Sequence, residues 1–140
     1  MLKVFVDSDV VISSLISSSG AAFLLLNETD DLDLFISDIS NEELKEVVDR
    51  LQLSQEKLEN LINKRLSSTL LSRSLKEIKM EFLNYVFDID DAHIVAGAKE
   101  ANAQFLISYN TKHFKADKLK EDFNIIITTP ANFLQYLRSQ

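Results

Sequence analysis

The sequence predicts an α/β sandwich around a mainly parallel sheet, on three observations. Short runs rich in Val, Ile, Leu and Phe alternate with longer segments of helical periodicity, the pattern of strands joined by crossover helices. The 140 residues are 46% apolar, enough for a core at the size of one domain. Only two glycines and one proline punctuate the chain, with no linker, internal repeat or composition break, so residues 1–140 read as a single domain.

Leu2–Val6 opens the series as a buried strand, short, β-branched and aromatic. Val10–Ile16 follows as a helix, Ser17-Ser18-Ser19-Gly20 breaks it, and Ala21–Leu26 begins a second short helix. Leu32–Ser37 is the second strand. Ser40–Leu51 is helical because Leu44, Val47, Val48 and Leu51 recur at helical spacing. Ser54–Leu66 is another amphipathic helix, with Glu56 in its first turn. Lys76–Val86 is expected to be helical, whereas Leu70–Leu75 is ambiguous. Asp91–Asn102 is an alanine-rich helix, and Gln104–Ser108 and Ile125–Thr128 are strands. Ala131–Leu137 closes the series as a helix with Pro130 near its first position.

There are 15 basic and 22 acidic residues, for a net charge of −7. That balance argues against nonspecific nucleic-acid binding, which rests on a basic surplus. The objection weakens where acids gather to hold divalent cations, because a bound metal reverses the field a phosphate meets. The absence of cysteine excludes disulfides and cysteine-ligated zinc, and suits the reducing cytoplasm expected as its location. No apolar stretch has the length of a membrane span or the form of a secretory leader, so no membrane association is expected.

In parallel α/β sheets the functional crevice lies beyond the carboxyl ends of the strands. Asp7 directly follows the first strand, and Asn110 lies just past Gln104–Ser108. Glu43 falls in the first turn of the helix after the second strand, which begins near the same edge. Asp91 joins them only if its helix also starts there, which periodicity does not settle. Gathered carboxylates repel one another unless a cation neutralises them. Hard oxygen donors suit Mg²⁺ or Mn²⁺, ions that assist phosphodiester hydrolysis.

Each residue also has a structural reading. Ser40-Asn41-Glu42-Glu43 has the form of a capping box, with Ser40 as N-cap and Glu43 at N3, and taken alone this outweighs a catalytic Glu43. Asp88, Asp90 and Asp91 can complement a helix dipole, with Asp88 or Asp90 as N-cap. Asp7 has no evident capping need, although Asp9 or Ser8 could cap the next helix and Asp7 could bind neighbouring amides. Asp30-Asp31-Asp33 and Glu121-Asp122 read as solvated loop charges. His93 and His113 lack a ligand spacing; His93 reads as a partly buried polar residue, and His113 could face substrate but reads more readily as a loop-surface residue. Lys112, Lys115, Lys118 and Lys120 suit either a grip on a phosphate backbone or a solvated helix face.

Val4-Phe5-Val6-Asp7-Ser8-Asp9-Val10-Val11-Ile12-Ser13 resembles the opening of PIN-domain ribonucleases, an aspartate after the first strand followed by a short helix. Ser18-Ser19-Gly20 resembles the same place in a subgroup of toxin components. Asp88-Ile89-Asp90-Asp91-Ala92-His93-Ile94-Val95-Ala96-Gly97-Ala98 resembles the second acidic motif, and Phe105-Leu106-Ile107-Ser108-Tyr109-Asn110-Thr111-Lys112-His113-Phe114 the last. The motifs run in the family's order from residue 4 to residue 114.

The resemblance implies a three-layer α/β/α PIN-like fold and RNA cleavage dependent on Mg²⁺ or Mn²⁺. It further implies the toxin of a VapBC-type pair, with a small antitoxin as partner and a homodimer as a possible assembly. Carried over, Asp7 and Asp91 become metal ligands, and Glu43, with Glu42 as fallback, the middle catalytic acid. Asn110 takes the place of a further aspartate, where its amide oxygen can still ligate a hard cation. Ser108 takes the place of a supporting hydroxyl, and Lys112 is assigned with it to substrate. Asp9 stands where many members carry asparagine.

Two alternatives stay open. The neutral Asn110 favours a catalytically weak or inactive PIN domain that binds RNA or protein. Paired aspartates after strands also occur in receiver-like domains, but Ser108-Tyr109-Asn110 occupies the place where such a domain would carry its late lysine.

Overall fold

Successive side chains of a strand face opposite sides of a sheet. Here both sides are apolar, as expected for parallel strands covered by helices on each face. The computed structural model describes residues 1–140. Val4 and Val6 of β1 (Leu2–Val6), Leu34 and Ile36 of β2 (Leu32–Ser37), and Phe105 and Ile107 of β4 (Phe105–Ile107) enter one core. Phe5 and Leu106 enter the other. The first core is closed by α1 (Ser8–Ile16), α2 (Ala21–Phe23), α3 (Asp38–Arg50), α4 (Gln55–Arg65) and α8 (Pro130–Arg138). The second is closed by α5 (Leu75–Phe82), α6 (Ala92–Glu100) and α7 (Ala116–Phe123). The result is three layers, α/β/α.

With β3 (Leu66–Thr69) and β5 (Ile126–Thr128), the sheet is five-stranded, in the order β3-β2-β1-β4-β5, and every pairing is parallel. The central β1 is paired on both sides, so its carboxyl end, at Asp7, sits in the middle of the functional edge. At Gly97, α6 lies close against the sheet. A methyl group there would stand 2.5 Å from Cζ of Phe5, whose ring is fully buried. No single helix is long and apolar enough to cross a membrane.

The four expected strands form, each within a residue of its expected start and end. β3 was not expected, because Leu-Ser-Ser-Thr has no apolar alternation; only Leu66 is buried, and backbone pairing to β2 holds the segment. The helix expected to reach Leu66 stops at Arg65 for this reason. The second helix widens into a π-type turn over Leu24–Glu28, and 3-10 turns follow α5 and precede α6. The Lys112–Lys120 stretch is partly a helix, α7, ended by Asn124 in the left-handed region, a conformation asparagine tolerates. Pro130 occupies the start of α8 as expected.

The capping assignments need correction at two places. α3 begins at Asp38 and its N-cap is Ser37, whose Oγ accepts the Ser40 N–H at 3.0 Å. Ser40 is therefore buried inside the helix and Glu43 lies beyond the first turn, so no capping box forms. The N-cap of α1 is Asp7 itself, not Asp9 or Ser8: Oδ1 accepts the Ser8 N–H at 2.7 Å.

Candidate active site

The parallel ladder continues past the strand ends and sets the site. Asp7 N–H donates to Ile107 O at 2.9 Å, and Ser108 N–H to Thr128 O at 3.0 Å. Asp7 and Ser108 are thereby held side by side. Ser108 Oγ donates to Asp7 Oδ2 at 2.9 Å and accepts the Asn110 N–H at 3.0 Å. Asp9, one turn-step further along α1, presents Oδ2 to the Tyr109 N–H at 3.0 Å and to Asn110 Nδ2 at 3.2 Å. Four residues around one crevice are thus locked by the β4 exit loop.

The electrostatics of this group are unbalanced. Burial pushes Asp7 up to about 7, and the neighbouring Asp9 charge adds to the rise against hydrogen bonds from Ser108 and Ser8. His113, on the turn just past β4, comes within 3.4 Å of Asp91, which places Asp91 on the same edge and answers what periodicity left open; the charge of Asp91 adds further to the rise of Asp7. Burial also raises Asp9, against hydrogen bonds from Tyr109, Ser108, Val10 and Asn110, and raises Asp91, against the attraction of His113. No lysine or arginine pairs with any of the three. Asp9 Oδ1 and Asp91 Oδ2 are buried without a hydrogen-bond partner. Asp91 sits at the N-cap position of α6 yet makes no capping bond, so capping does not explain it; Asp88 caps the 3-10 turn before it. His113 Nδ1 approaches Asp91 Oδ2 at 3.4 Å without hydrogen-bond geometry.

Glu43 enters from α3 and meets His93 of α6, with Oε1 2.6 Å from Nε2. The pair joins helices from opposite faces of the sheet, two residues beyond Asp91. Glu42 instead pairs with Lys45 at 3.3 Å on the solvent side, which leaves Glu43 as the acid on the site's side. Lys112 is exposed and makes no ion pair, on the 3-10 turn Thr111–His113. Asp9, His93 and His113 were weighed in the sequence but not assigned to the site. Asp9 had a signal, its place two residues past a strand end; the histidine contacts are between distant segments and had none.

Buried, uncompensated carboxylates with spare oxygens suit a hard divalent cation. No three His, Asp or Glu side chains converge to form a cage by themselves. The donors therefore fit an open site in the manner of Mg²⁺, held by one or two carboxylates and completed by water and phosphate. Asn110 turns its amide nitrogen, a donor, toward Asp9. A groove of about 530 Å³ lies apart from the acids between α1–α2 and α4, and is lined by Lys57, Lys64 and Arg65 among others.

A family model described as the PIN domain matches residues 3–112, which span every acid of this crevice. The chain belongs to the PIN domain family. The fold is shared with solved structures of low sequence identity. VapBC2 from Rickettsia felis, bound to a promoter DNA fragment, is 19% identical with a TM-score of 0.66, covering 91% of this chain and 98% of that one. VapBC-1 from nontypeable Haemophilus influenzae is 14% identical with a TM-score of 0.61, covering 93% and 99%. VapC20 of Mycobacterium tuberculosis, a toxin that cleaves the sarcin–ricin loop, is 16% identical with a TM-score of 0.54, covering 86% and 95%. No curated protein sequence matches significantly. These likenesses bear out the three-layer PIN fold.

Proposed function

We propose that this PIN domain is a ribonuclease dependent on Mg²⁺ or Mn²⁺, and the toxin of a cytoplasmic toxin–antitoxin pair. The observation that supports it best is the uncompensated acid cluster at the carboxyl edge of β1, with Asp7 pushed up to about 7. Asp7 and Asp91 would hold the metal, with Asn110 as a further ligand through its amide oxygen. Bound there, the ion would lower the pKa of a water and stabilise charge on phosphorus. Ser108 fixes Asp7 through its hydroxyl. Glu43, held by His93, orients the attacking water and takes its proton. The water oxygen forms a bond to phosphorus while the opposite P–O bond to the ribose oxygen breaks. Lys112 is exposed and meets the RNA, whereas Ser108, expected beside it at the substrate, is fully buried and serves Asp7 instead. The PIN fold shared with VapBC complexes supports an antitoxin as partner, and a homodimer is a compatible assembly.

The test is cleavage of RNA by purified protein with Mn²⁺ or Mg²⁺ and with EDTA. Cleavage that needs metal and is lost in Asp7→Asn and Asp91→Asn is the expected result; equal cleavage by these variants would refute the assignment. A second reading, a binding module without turnover, is favoured by the donor that Asn110 turns to the cluster. Absence of Mn²⁺ binding below millimolar concentration in calorimetry would support that module instead.

A further inference from the structure

A lone exposed phenylalanine is ordinary on a protein surface. Phe87 is not alone. An antiparallel bridge joins Val86 to Phe114, extended by the Phe87 N–H to His113 O at 3.0 Å and the Lys115 N–H to Tyr85 O at 2.9 Å. Val86 and Phe114 are both buried, so alternation turns Tyr85, Phe87, His113 and Lys115 to the other face. On that face aromatic and basic side chains interleave. Lys118 Nζ stands 5.2 Å from the centre of the Tyr85 ring, and Lys115 Nζ 5.3 Å from that of Phe87. His113, across the bridge from Phe87, approaches Asp91 of the acid site.

Tyr85 is committed within this strip. Its hydroxyl donates to Asp122 at 2.6 Å and its ring packs 4.6 Å from that of Phe123. Phe87 is committed to nothing but Lys115, and is 72% exposed. In a chain of charge −7, the half-buried Lys115 lies against this open ring, and the exposed Lys112 sits on the same turn as His113, which reaches the carboxylate edge. A flat π-face with neighbouring cations is what an unpaired nucleotide needs: the base stacks and the phosphate is neutralised. A paired base has its faces covered by its neighbours, so a duplex cannot use the ring in this way.

Resting on the ribonuclease reading, we propose that Phe87 and Lys115 form a base-stacking subsite for an unpaired nucleotide flanking the scissile phosphate. Stacking on an aromatic ring is sequence-tolerant, so the subsite selects for strandedness ahead of base identity.

The experiment uses a single-stranded oligoribonucleotide carrying 2-aminopurine, titrated against the full chain in the Asp7→Asn background so that it is not cut. Phe87→Ala is expected to weaken binding about 5- to 100-fold and to abolish the quenching of 2-aminopurine fluorescence that stacking on the ring produces, with Phe87→Trp restoring both. Lys115→Ala is expected to reduce the salt dependence by roughly one phosphate contact. The duplex of the same sequence is expected to bind more weakly and without regard to residue 87. Equal binding of the single strand by Phe87→Ala overturns the subsite, as does a change in oligomeric mass with RNA binding untouched, which would make the ring a protein contact. Metal-dependent cleavage by the wild type with an unchanged KM in Phe87→Ala would overturn the subsite and leave the ribonuclease reading standing.

Discussion

Replacing Asp7 with asparagine is expected to stabilise the metal-free protein while it disables the site. Asp7 is raised from 3.8 to about 7 by burial and by Asp9. The folded protein therefore holds this proton more tightly than the unfolded chain does. The stability tied to it is complete below about pH 4 and is lost as pH rises through 7. At about 1.4 kcal/mol per unit, the ionised carboxylate costs at most about 4 kcal/mol above pH 7. Relaxation and water penetration reduce this to about 1–3 kcal/mol. Asparagine carries no charge, can accept the Ser8 N–H through Oδ1, and can donate to Ser108 through Nδ2, so both local bonds survive. For a chain of this size the gain corresponds to a rise in Tm of about 4–12 °C. The assay is thermal unfolding by circular dichroism at pH 8 in EDTA, repeated at lower pH and with Mn²⁺. The advantage of Asp7→Asn should shrink toward pH 4, and Mn²⁺ should raise the Tm of the wild type alone. A variant less stable than wild type at pH 8 in EDTA would refute the reasoning.

Three further outcomes follow from the same geometry. Mn²⁺ binding should displace the Asp7 proton below about pH 7, so calorimetry in buffers of differing ionisation enthalpy should show about one proton released per metal at pH 6 and almost none at pH 8.5. His93→Ala should reduce kcat for RNA cleavage about 10- to 100-fold with little change in KM, and His93→Gln, which keeps a donor for Glu43, should recover part of the loss; unchanged kcat in His93→Ala would remove Glu43 from the chemistry. Gly97→Ala should lower stability by about 1–3 kcal/mol in urea unfolding, because the added methyl meets the immobile Phe5 ring; a neutral result would mean α6 can shift from the sheet.

What the sequence made legible was whatever is local. Each buried strand announced itself by composition, and an acid or amide just past a strand end pointed to the carboxyl edge, which is why Asp7 and Asn110 could be named; Ser108 came from the family resemblance alone. Non-local pairing was not legible. β3 has too little apolar character to be seen and exists because β2 offers it a ladder. Glu43 looked like half of a capping box because two serines, Ser37 and Ser40, lie one turn apart; the end of β2 selects Ser37, and the second serine is buried. The contact of Glu43 with His93 joins two helices on opposite faces of the sheet, and no period in either segment reports it. Asp91 was the intermediate case: its motif matched, but only the folded chain brings its charge to bear on Asp7.

The position of a bound divalent ion tests the acid cluster most directly. Crystals grown with Mn²⁺ and measured for its anomalous scattering should show an ion with carboxylate oxygens of Asp7 and Asp91 about 2 Å away, and water completing its shell. An ion bound elsewhere, or none at millimolar Mn²⁺ and pH 8, would contradict it.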